Sequence, residues 1–335
     1  MAHAFSRAAL DPQLAALIPD AVNQFLLKFH HAGFDIWLVG GAVRSLLTDQ
    51  PITNPDFTTS ATPEQIQALF PDSFYDNNFG TVGIPIGNEV YEVTTYRTEL
   101  SYTDRRHPDQ VTWGQSLEDD LPRRDFTVNA MVIGLPAKAA QLPAGQLFFI
   151  DPFAGKKDLD QKLVKAVGEP ADRFREDSLR LLRAVRLATQ LGFTIEDHTL
   201  QAIKQLSPDI ATVSHERIHA ELIKILSSPH PAAGITLLDQ TGLLAHILPE
   251  MMAAKDVPQG GHHIYDVWTH SLESLRLCPS SDPLVRFATL IHDIGKPPTL
   301  RHQGPRGGTF YGHEVVGARL AGAIADRLRF SKKDK

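Results

Sequence analysis

Two hydrophobic periods alternate along the first 150 residues. Apolar runs rich in Val, Ile, Phe and Thr predict strands, and these runs lie at 34–41, 57–61, 81–86 and 89–97. Between them, apolar residues spaced three and four apart predict amphipathic helices over 12–32 and 42–49. Thr62 and Pro63 have the character of an N-cap and a first helical residue, which predicts a further helix. This part of the chain is therefore expected to be a mixed sheet flanked by helices.

Beyond about residue 158 the helical period continues almost without interruption. Turn-forming residues divide it into segments at 207–208, 227–231 and 258–261. Taken together, the two patterns predict an α+β chain in which an N-terminal head with a small mixed β-sheet precedes all-α segments. No apolar run reaches the roughly 18 residues that a membrane-spanning helix requires.

The stretch 173–186 has the most informative polar pattern in the chain. At 100° per residue, one helical face and its two flanks carry the charged residues: Glu176, Asp177, Arg180, Arg183 and Arg186. The opposite side carries the apolar residues Leu181, Leu182 and Val185. A carboxylate beside a guanidinium offers acceptors and donors side by side, as the pairing edge of a nucleobase requires. The alternative is an amphipathic helix with an exposed ladder of ion pairs.

Composition limits the classes of protein that fit. The 335 residues suggest two or three domains, and 42% hydrophobic with 21% charged residues is typical of a soluble protein. A formal charge of −6 argues against a surface coated with nucleic acid, but it leaves room for a local basic groove. Cys278 is the only cysteine, which excludes a disulfide framework and a thiolate zinc cluster. With no signal peptide at the N-terminus, we expect a cytoplasmic protein without membrane or DNA partners.

The double glycine at Gly40 and Gly41 lies between a predicted strand and a predicted helix. Backbone N–H groups at such a turn can approach a phosphate closely, and the helix N-terminus favours negative charge. Arg44 would lie one helical turn later, within reach of a triphosphate. A turn without a ligand is the alternative, because a Gly-Gly pair alone is weak evidence.

The turn and the following segment resemble the nucleotidyltransferase family that adds CCA to tRNA 3′ ends, together with its poly(A) polymerase relatives. That family has a GG-x-V-R-D turn followed by D-x-D, whose two Asp residues hold two Mg²⁺ ions. Asp56 matches the second of these Asp residues, but Asn54 stands at the first and Ser45 replaces the Asp after Val-Arg. The resemblance implies that Asp56 and Asn54 are the catalytic, Mg²⁺-binding pair, weakened by the missing carboxylate. Glu92 is either an additional carboxylate or a solvent-facing strand residue.

The resemblance covers nearly the whole chain. Residues 116–132 are close to the family's E-D-L-x-R-R-D-F-T-x-N-A, and 101–111 resemble the mobile loop of the family. This match implies that Arg123 and Arg124 bind nucleotide phosphate or ribose, while Asp125 and Asn129 hold the site together. Residues 149–193 resemble the neck, where the E-D-x-x-R motif reads the incoming base. The residues that this motif and its extension assign to nucleotide binding are Asp177, Arg180, Arg183 and Arg186.

Histidines near the C-terminus carry a second resemblance, to HD phosphohydrolases. The pattern is made by His270, the doublet His292-Asp293 and His313. It implies a site for a divalent ion (Ni, Mn or Zn) that activates water for phosphoester hydrolysis. The final Asp ligand of that pattern has no match before Lys335, so we expect a truncated HD domain. Histidines that only pack and form hydrogen bonds are the alternative.

These observations predict a head, a neck, a body and an HD domain, at 1–148, 149–206, 207–258 and 259–335. The predicted reaction is attack of a tRNA 3′-hydroxyl on the α-phosphate of CTP or ATP, with release of pyrophosphate. Two other functions stay open: a tRNA- or nucleotide-binding protein with impaired catalysis, and a phosphohydrolase whose head only recognises RNA. The motifs do not separate CCA addition from poly(A) addition.

Overall fold

The computed structural model describes residues 5–75, 80–99, 111–113, 116–137, 146–260, 264–304 and 307–335. The chain divides into two compact units, Met1–Arg173 and Phe174–Lys335. The predicted loop at 101–111, except Val111, lies outside the described residues. None of the described helices combines the length and the apolar character needed to cross a lipid bilayer.

The first unit has short helices and a large sheet. Its helices are α1 (Pro12–Ala15), α2 (Asp20–His31), α3 (Gly41–Leu47), α4 (Pro63–Leu69), α5 (Leu117–Asp120) and α6 (Gly155–Asp160). Its strands are β1 (Ala8–Ala9), β2 (Ile36–Val39), β3 (Asp56–Thr59), β4 (Phe74–Tyr75), β5 (Thr81–Ile86), β6 (Glu89–Thr95), β7 (Arg97–Glu99), β8 (Val111–Trp113), β9 (Val132–Leu135), β10 (Phe148–Ile150) and β11 (Leu163–Val164). Short 3-10 helices lie at Leu121–Arg123 and Thr127–Asn129.

Eight of the described strands form one mixed sheet, in the order β1-β10-β9-β2-β3-β6-β5-β4. Neighbouring strands are antiparallel except β3 and β6, which run parallel. In the register of the sheet, Asp56 is paired with Val39 on one side and with Glu92 on the other. Paired residues on adjacent strands point to the same face, so Asp56 and Glu92 share one face of the sheet. The predicted α+β head is confirmed.

The two faces of the sheet are covered differently. Helix α2 packs an aromatic cluster against one face, and its members are Phe25, Phe29, Phe57, Phe70 and Tyr91. On the face that carries Asp56, Trp37 and Val39 belong to a buried cluster with Leu117 and Leu121. Helix α5 and the start of the segment that follows it therefore lie over the face on which the carboxylates stand.

Helix α7 (Pro170–Glu176) spans the division between the units, and the second unit is largely helical. Its helices are α8 (Leu179–Leu191), α9 (Asp197–Leu206), α10 (His215–Leu226), α11 (Pro231–Gln240), α12 (Leu244–Ile247), α13 (Pro249–Met252), α14 (Val267–Leu277), α15 (Pro283–Ile291), α16 (Lys296–Thr299) and α17 (His313–Arg327). It also contains a 3-10 helix at Ser207–Thr212 and the strands β12 (Thr194–Ile195), β13 (Arg301–Gly304) and β14 (Gly307–Thr309).

Three predicted elements differ from the observed ones. The single helix over 12–32 is wrong: the chain forms α1 and α2, and Pro19 occupies the N-cap of α2. Proline cannot donate the helical N–H hydrogen bond, so the helix restarts there. The hairpin of β13 and β14 interrupts the predicted helical run. The helix predicted through 173–186 is broken between α7 and α8, at Asp177 and Ser178.

Candidate functional site

The glycine turn stands between β2 and α3, as predicted. Gly40 has φ +64° and ψ −125°, a backbone conformation that residues other than glycine rarely adopt. Nη2 of Arg44 lies 3.5 Å from the position that a Cβ atom on Gly41 would take. The guanidinium therefore lies over the turn, where the exposed N–H groups of a helix N-terminus and an Arg charge both favour an anion.

The first residue of β3, Asp56, is exposed and stands beside Glu92 of β6 on the same sheet face. Pro55 lies just before the strand rather than within it, so it interrupts no ladder. Asn54 is exposed and has φ +47°, a left-handed conformation that Asn tolerates better than most residues. Two carboxylates and one amide carbonyl are oxygen ligands of the kind that Mg²⁺ prefers. The residue types fit a hard divalent cation, with one carboxylate on each of two strands.

The electrostatics of this face also fit a cation. Desolvation by the surrounding protein, followed by the charge of Glu92, raises the pKa of Asp56 to about 6, although the residue keeps contact with solvent. The charges of Arg124 and Arg44 act in the opposite direction on the same pKa. Asp56 therefore lies within electrostatic range of one carboxylate and two of the predicted nucleotide-binding arginines.

Arg123 and Arg124 are joined by Asp120, which the sequence argument did not single out. Nε and Nη2 of Arg123 donate to Oδ1 of Asp120 at 3.2 and 2.8 Å. The same two atoms of Arg124 donate to Oδ2 at 3.2 and 2.9 Å. Against burial, which is the largest effect, Arg124 and Arg123 lower the pKa of Asp120 to about 2. The spacing of three and four residues was the sequence signal for this cluster.

A second chain of hydrogen bonds holds Arg44. Nη1 of Arg44 donates to Oδ1 of Asn129, and Nδ2 of Asn129 donates to Oδ1 of Asp125 at 2.9 Å. Asp125 is buried and also accepts the backbone N–H of Phe126 at 2.9 Å. These contacts link the Arg44 guanidinium to Asn129 and, through Asn129, to Asp125.

In the second unit, the residues of the E-D-x-x-R motif lie at the break between α7 and α8. Oδ1 of Asp177 accepts the backbone N–H of Leu179 at 3.0 Å. Nη1 of Arg180 donates to Oε2 of Glu176 at 2.6 Å, and the Arg180 side chain is only 10% exposed. Arg183 is half-buried. These residues do not form an exposed row of ion pairs on a helix surface, because the arginine side chains are largely buried.

Helix α10 supplies two charged partners to this segment. Nη2 of Arg217 donates to Oδ2 of Asp177 at 2.8 Å. Glu221, whose side chain is 4% exposed, pairs with Arg186 at 3.2 Å. Arg217 lies 40 residues from Asp177 in sequence, so no local pattern could have identified it. Both partners of α10 are residues that sequence reasoning missed.

The histidines of the C-terminal pattern come together around Asp293. Oδ2 of Asp293 lies 3.4 Å from Nε2 of His270 and 3.2 Å from Nε2 of His292. His270, His292 and Asp293 offer ligand atoms that all lie within 4.8 Å of one another. His313 is slightly farther, with Nε2 at 3.8 Å from Oδ1 of Asp293. The four predicted residues are therefore neighbours, and the donor set fits a divalent transition ion.

Contacts behind the cluster orient its rings. Nδ1 of His292 lies 2.8 Å from the carbonyl of Thr289, and Nδ1 of His313 lies 2.9 Å from the carbonyl of Phe310. A proton on each Nδ1 satisfies these contacts and leaves Nε2 facing Asp293. Against burial, hydrogen bonds from His292 and Lys296 hold the pKa of Asp293 well below its usual range. Lys296 is a further neighbour that the sequence argument missed, with Nζ at 2.7 Å from Asp293.

Three family models match the chain. They are the poly A polymerase head domain over residues 36–165, the probable RNA- and SrmB-binding site of polymerase A over 192–255, and the HD domain over 262–334. The first contains the turn, Asp56 and the Arg123–Arg124 pair, and the third contains the histidine cluster. The matches follow the order predicted from the motifs.

Known relatives agree with the family models. The CCA-adding enzyme of Geobacillus stearothermophilus is 43% identical over 222 residues, which are 66% of this chain and 52% of that enzyme. The CCA-adding enzyme of Lactobacillus helveticus is 42% identical over 235 residues, 70% of this chain and 56% of that one. The chain thus spans about half the length of the curated relatives it matches.

Solved structures extend the similarity. The Bacillus stearothermophilus CCA-adding enzyme in complex with CTP superimposes with a TM-score of 0.65 at 30% identity, covering 95% of this chain and 71% of that one. The Thermotoga maritima enzyme complexed with tRNA shares the fold, with a TM-score of 0.68, 20% identity, and coverage of 98% and 71%. On these similarities, the chain belongs to the family of CCA-adding enzymes and poly(A) polymerases and carries an HD domain.

Proposed function

We propose that this protein is a CCA-adding tRNA nucleotidyltransferase, using CTP and ATP as nucleotide substrates and Mg²⁺ as its cofactor. The observation that carries the proposal is the pairing of Asp56 and Glu92 on one sheet face, within electrostatic range of Arg44 and Arg124. Acidic oxygens for a cation beside arginines for an anion are what metal-assisted transfer of a nucleotide requires. The names of the relatives described above, which are CCA-adding enzymes, supply the substrate class.

In the proposed reaction the terminal 3′-hydroxyl of tRNA forms a new bond to the α-phosphorus, and the bond from that phosphorus to the β-phosphate oxygen breaks. Pyrophosphate leaves with the electron pair, and the hydroxyl proton passes to solvent. Asp56, Asn54 and Glu92 are the residues that would hold Mg²⁺. When bound, the cation would stabilise the negative charge that develops on the attacking and leaving oxygens.

The remaining predicted residues have supporting roles. The N–H groups at Gly40 and Gly41, with Arg44, Arg123 and Arg124, would bind the triphosphate. Asp177 and Arg180 would select C or A, because an acceptor and a donor match the exocyclic amino group and ring nitrogen of those bases. U or G would leave a buried polar group unpaired, at a cost of about 1–3 kcal/mol. Arg183 and Arg186 would support the same segment. We expect the protein to act in the cytoplasm. Its proposed domains are those predicted from the sequence.

Incorporation of labelled CTP and ATP into tRNA that lacks its 3′ end tests this function. The unaltered chain is expected to add both nucleotides, and Asp56→Ala is expected to abolish addition. Asn54→Asp restores the first carboxylate of the family's D-x-D pair, and we expect it to tighten Mg²⁺ binding at least about tenfold. If only the Asn54→Asp variant is active, the natural protein is an RNA- or nucleotide-binding member with impaired catalysis. Addition of A without C would instead indicate a poly(A) polymerase.

A second activity is favoured by the cluster of His270, His292 and Asp293, in which three ligand atoms converge. We propose that the cluster binds a divalent ion such as Ni²⁺, Mn²⁺ or Zn²⁺ and supports phosphoester hydrolysis. Equilibrium dialysis of each metal against the full chain measures binding, and His292→Ala is expected to weaken it. Hydrolysis of a 2′,3′-cyclic nucleotide that persists in His292→Ala would reject this role. Nucleotide addition should be unaffected by the same substitution.

A further inference from the structure

One carboxylate of the head serves two consecutive arginines. Asp120 is completely buried, whereas the side chains of Arg123 and Arg124 are 16% and 19% exposed. Each of its oxygens accepts two N–H groups from a single guanidinium, Oδ1 from Arg123 and Oδ2 from Arg124. A carboxylate with this arrangement keeps the two guanidinium groups apart and fixes the orientation of both.

The guanidinium groups of Arg123 and Arg124 face Asp120 in the same way. Both arginines use the Nε and Nη2 edge for Asp120. Because a guanidinium is planar, Nη1 of each then lies on the side away from that carboxylate. Arg124 is close enough to lower the pKa of Asp56 through its charge. One negative charge between two positive ones leaves the cluster electropositive, beside the carboxylates proposed to hold Mg²⁺.

We propose that Asp120 is a positioning residue for nucleotide binding, which holds Arg123 and Arg124 as a preorganised pair of donors for the triphosphate. The identity of the anion rests on the proposed function, whereas the arrangement of the arginines does not. Two unrestrained arginine side chains would lose conformational freedom on binding the anion, and the fixed pair has already lost it. Asp120 thus acts through the two guanidinium groups and touches no substrate itself.

Binding of inorganic tripolyphosphate to the full chain tests the proposal, by calorimetry at one fixed Mg²⁺ concentration. Asp120→Asn keeps the shape but removes the charge, and we expect the Kd to rise about tenfold, as for other losses of supporting contacts. The matched control is Asp158→Asn. Asp158 is another buried carboxylate of the head and accepts the hydroxyl of Thr127 at 2.7 Å. The control is expected to lower stability without changing the Kd.

A double-mutant cycle separates positioning from a loss of stability. In an Arg124→Met background, Asp120→Asn is expected to raise the Kd by clearly less than it does alone, because one of its two arginines is gone. Equal effects in both backgrounds, equal effects of Asp158→Asn, or no tripolyphosphate binding by the unaltered chain would each overturn the proposal. If tripolyphosphate binding depends on Asp120 but no CTP or ATP is incorporated, the positioning role stands and the proposed enzymatic function fails.

Discussion

Replacing Arg217 with Met tests how far the proposed base selection by Asp177 and Arg180 depends on helix α10. The substitution removes the partner of Oδ2 of Asp177 and leaves the backbone contact of Oδ1 from Leu179. A hydrogen bond between charged groups contributes about 1.5–3 kcal/mol in a protected site. The two side chains are 28% and 20% exposed, so solvent screening reduces the expected loss of unfolding free energy to about 1 kcal/mol.

The same energy sets the expected change in selectivity. Without this contact the Asp177 carboxylate is no longer held in one orientation. If the whole contact energy is lost from base discrimination, the preference for CTP over UTP should fall by about fivefold, the factor that corresponds to 1 kcal/mol. The assay is kcat/KM for each of the four nucleoside triphosphates on tRNA lacking its 3′ end. We expect the decrease to appear in the ratio of CTP to UTP more than in kcat for CTP.

Arg327→Met is the matched control for this variant. Arg327 forms two hydrogen bonds with Glu250 in the same unit, at 2.5 and 2.8 Å, and the two side chains are 31% and 19% exposed, close to the values for the Arg217 pair. Because Arg327 also donates to the carbonyl of Ile247, chemical denaturation should show a loss of stability for Arg327→Met at least as large as that for Arg217→Met. The reasoning is refuted if selectivity stays constant in Arg217→Met, or if it falls equally in Arg327→Met.

Three further predictions concern stability, each measured by denaturant unfolding. In EDTA, Asp56→Asn is expected to stabilise the protein at pH 8: the pKa of about 6 in the fold exceeds the ordinary 3.8, so ionisation above pH 4 costs stability. That gain should vanish near pH 4, and a constant gain would contradict it. Ser178→Ala should raise the free energy of unfolding by about 1 kcal/mol, because the Ser178 hydroxyl is buried without a hydrogen-bond partner in the described part of the chain. A lower free energy of unfolding in this variant would show that the hydroxyl has a partner. Gly134→Ala should cost more than about 2 kcal/mol, since its Cβ would lie 2.1 Å from the carbonyl oxygen of Ile36, and a neutral effect would reject the tight approach of β9 to β2.

Local signals predicted much of the head. The strand over 34–41, the glycine turn and the N-cap at Thr62 depend on residues within a few positions of one another, and each was found in the structure. Pro19 was a local signal too, but the apolar period around it favoured one continuous helix. The break at Asp177 and Ser178 had a local marker as well, because Asp and Ser are common at helix N-termini and Ser178 is the N-cap of α8. The charged and apolar periods that run through 173–186 favoured one continuous helix.

Positions that depend on pairing between distant strands could not be predicted in the same way. Glu92 could be read as a metal ligand or as a solvent-facing residue, and the choice depends on which residue of β3 lies beside it. The parallel register of β3 and β6 puts it next to Asp56. A shift of one residue would have turned Glu92 to the opposite face. The sequence patterns of the two strands alone do not determine that register.

A physical rule connects the residues that were missed. Many of the charges predicted to act on nucleotides or to hold a metal ion are largely buried, and a buried charge is costly unless a group of opposite sign stands beside it. Asp120 serves Arg123 and Arg124, Arg217 serves Asp177, and Lys296 serves Asp293. The motifs identify the group that is predicted to face the substrate. The fold brings its oppositely charged partner beside it, and that partner can be distant in sequence. Substituting these partners should therefore alter binding and selectivity, even though the motifs assigned a role to none of them.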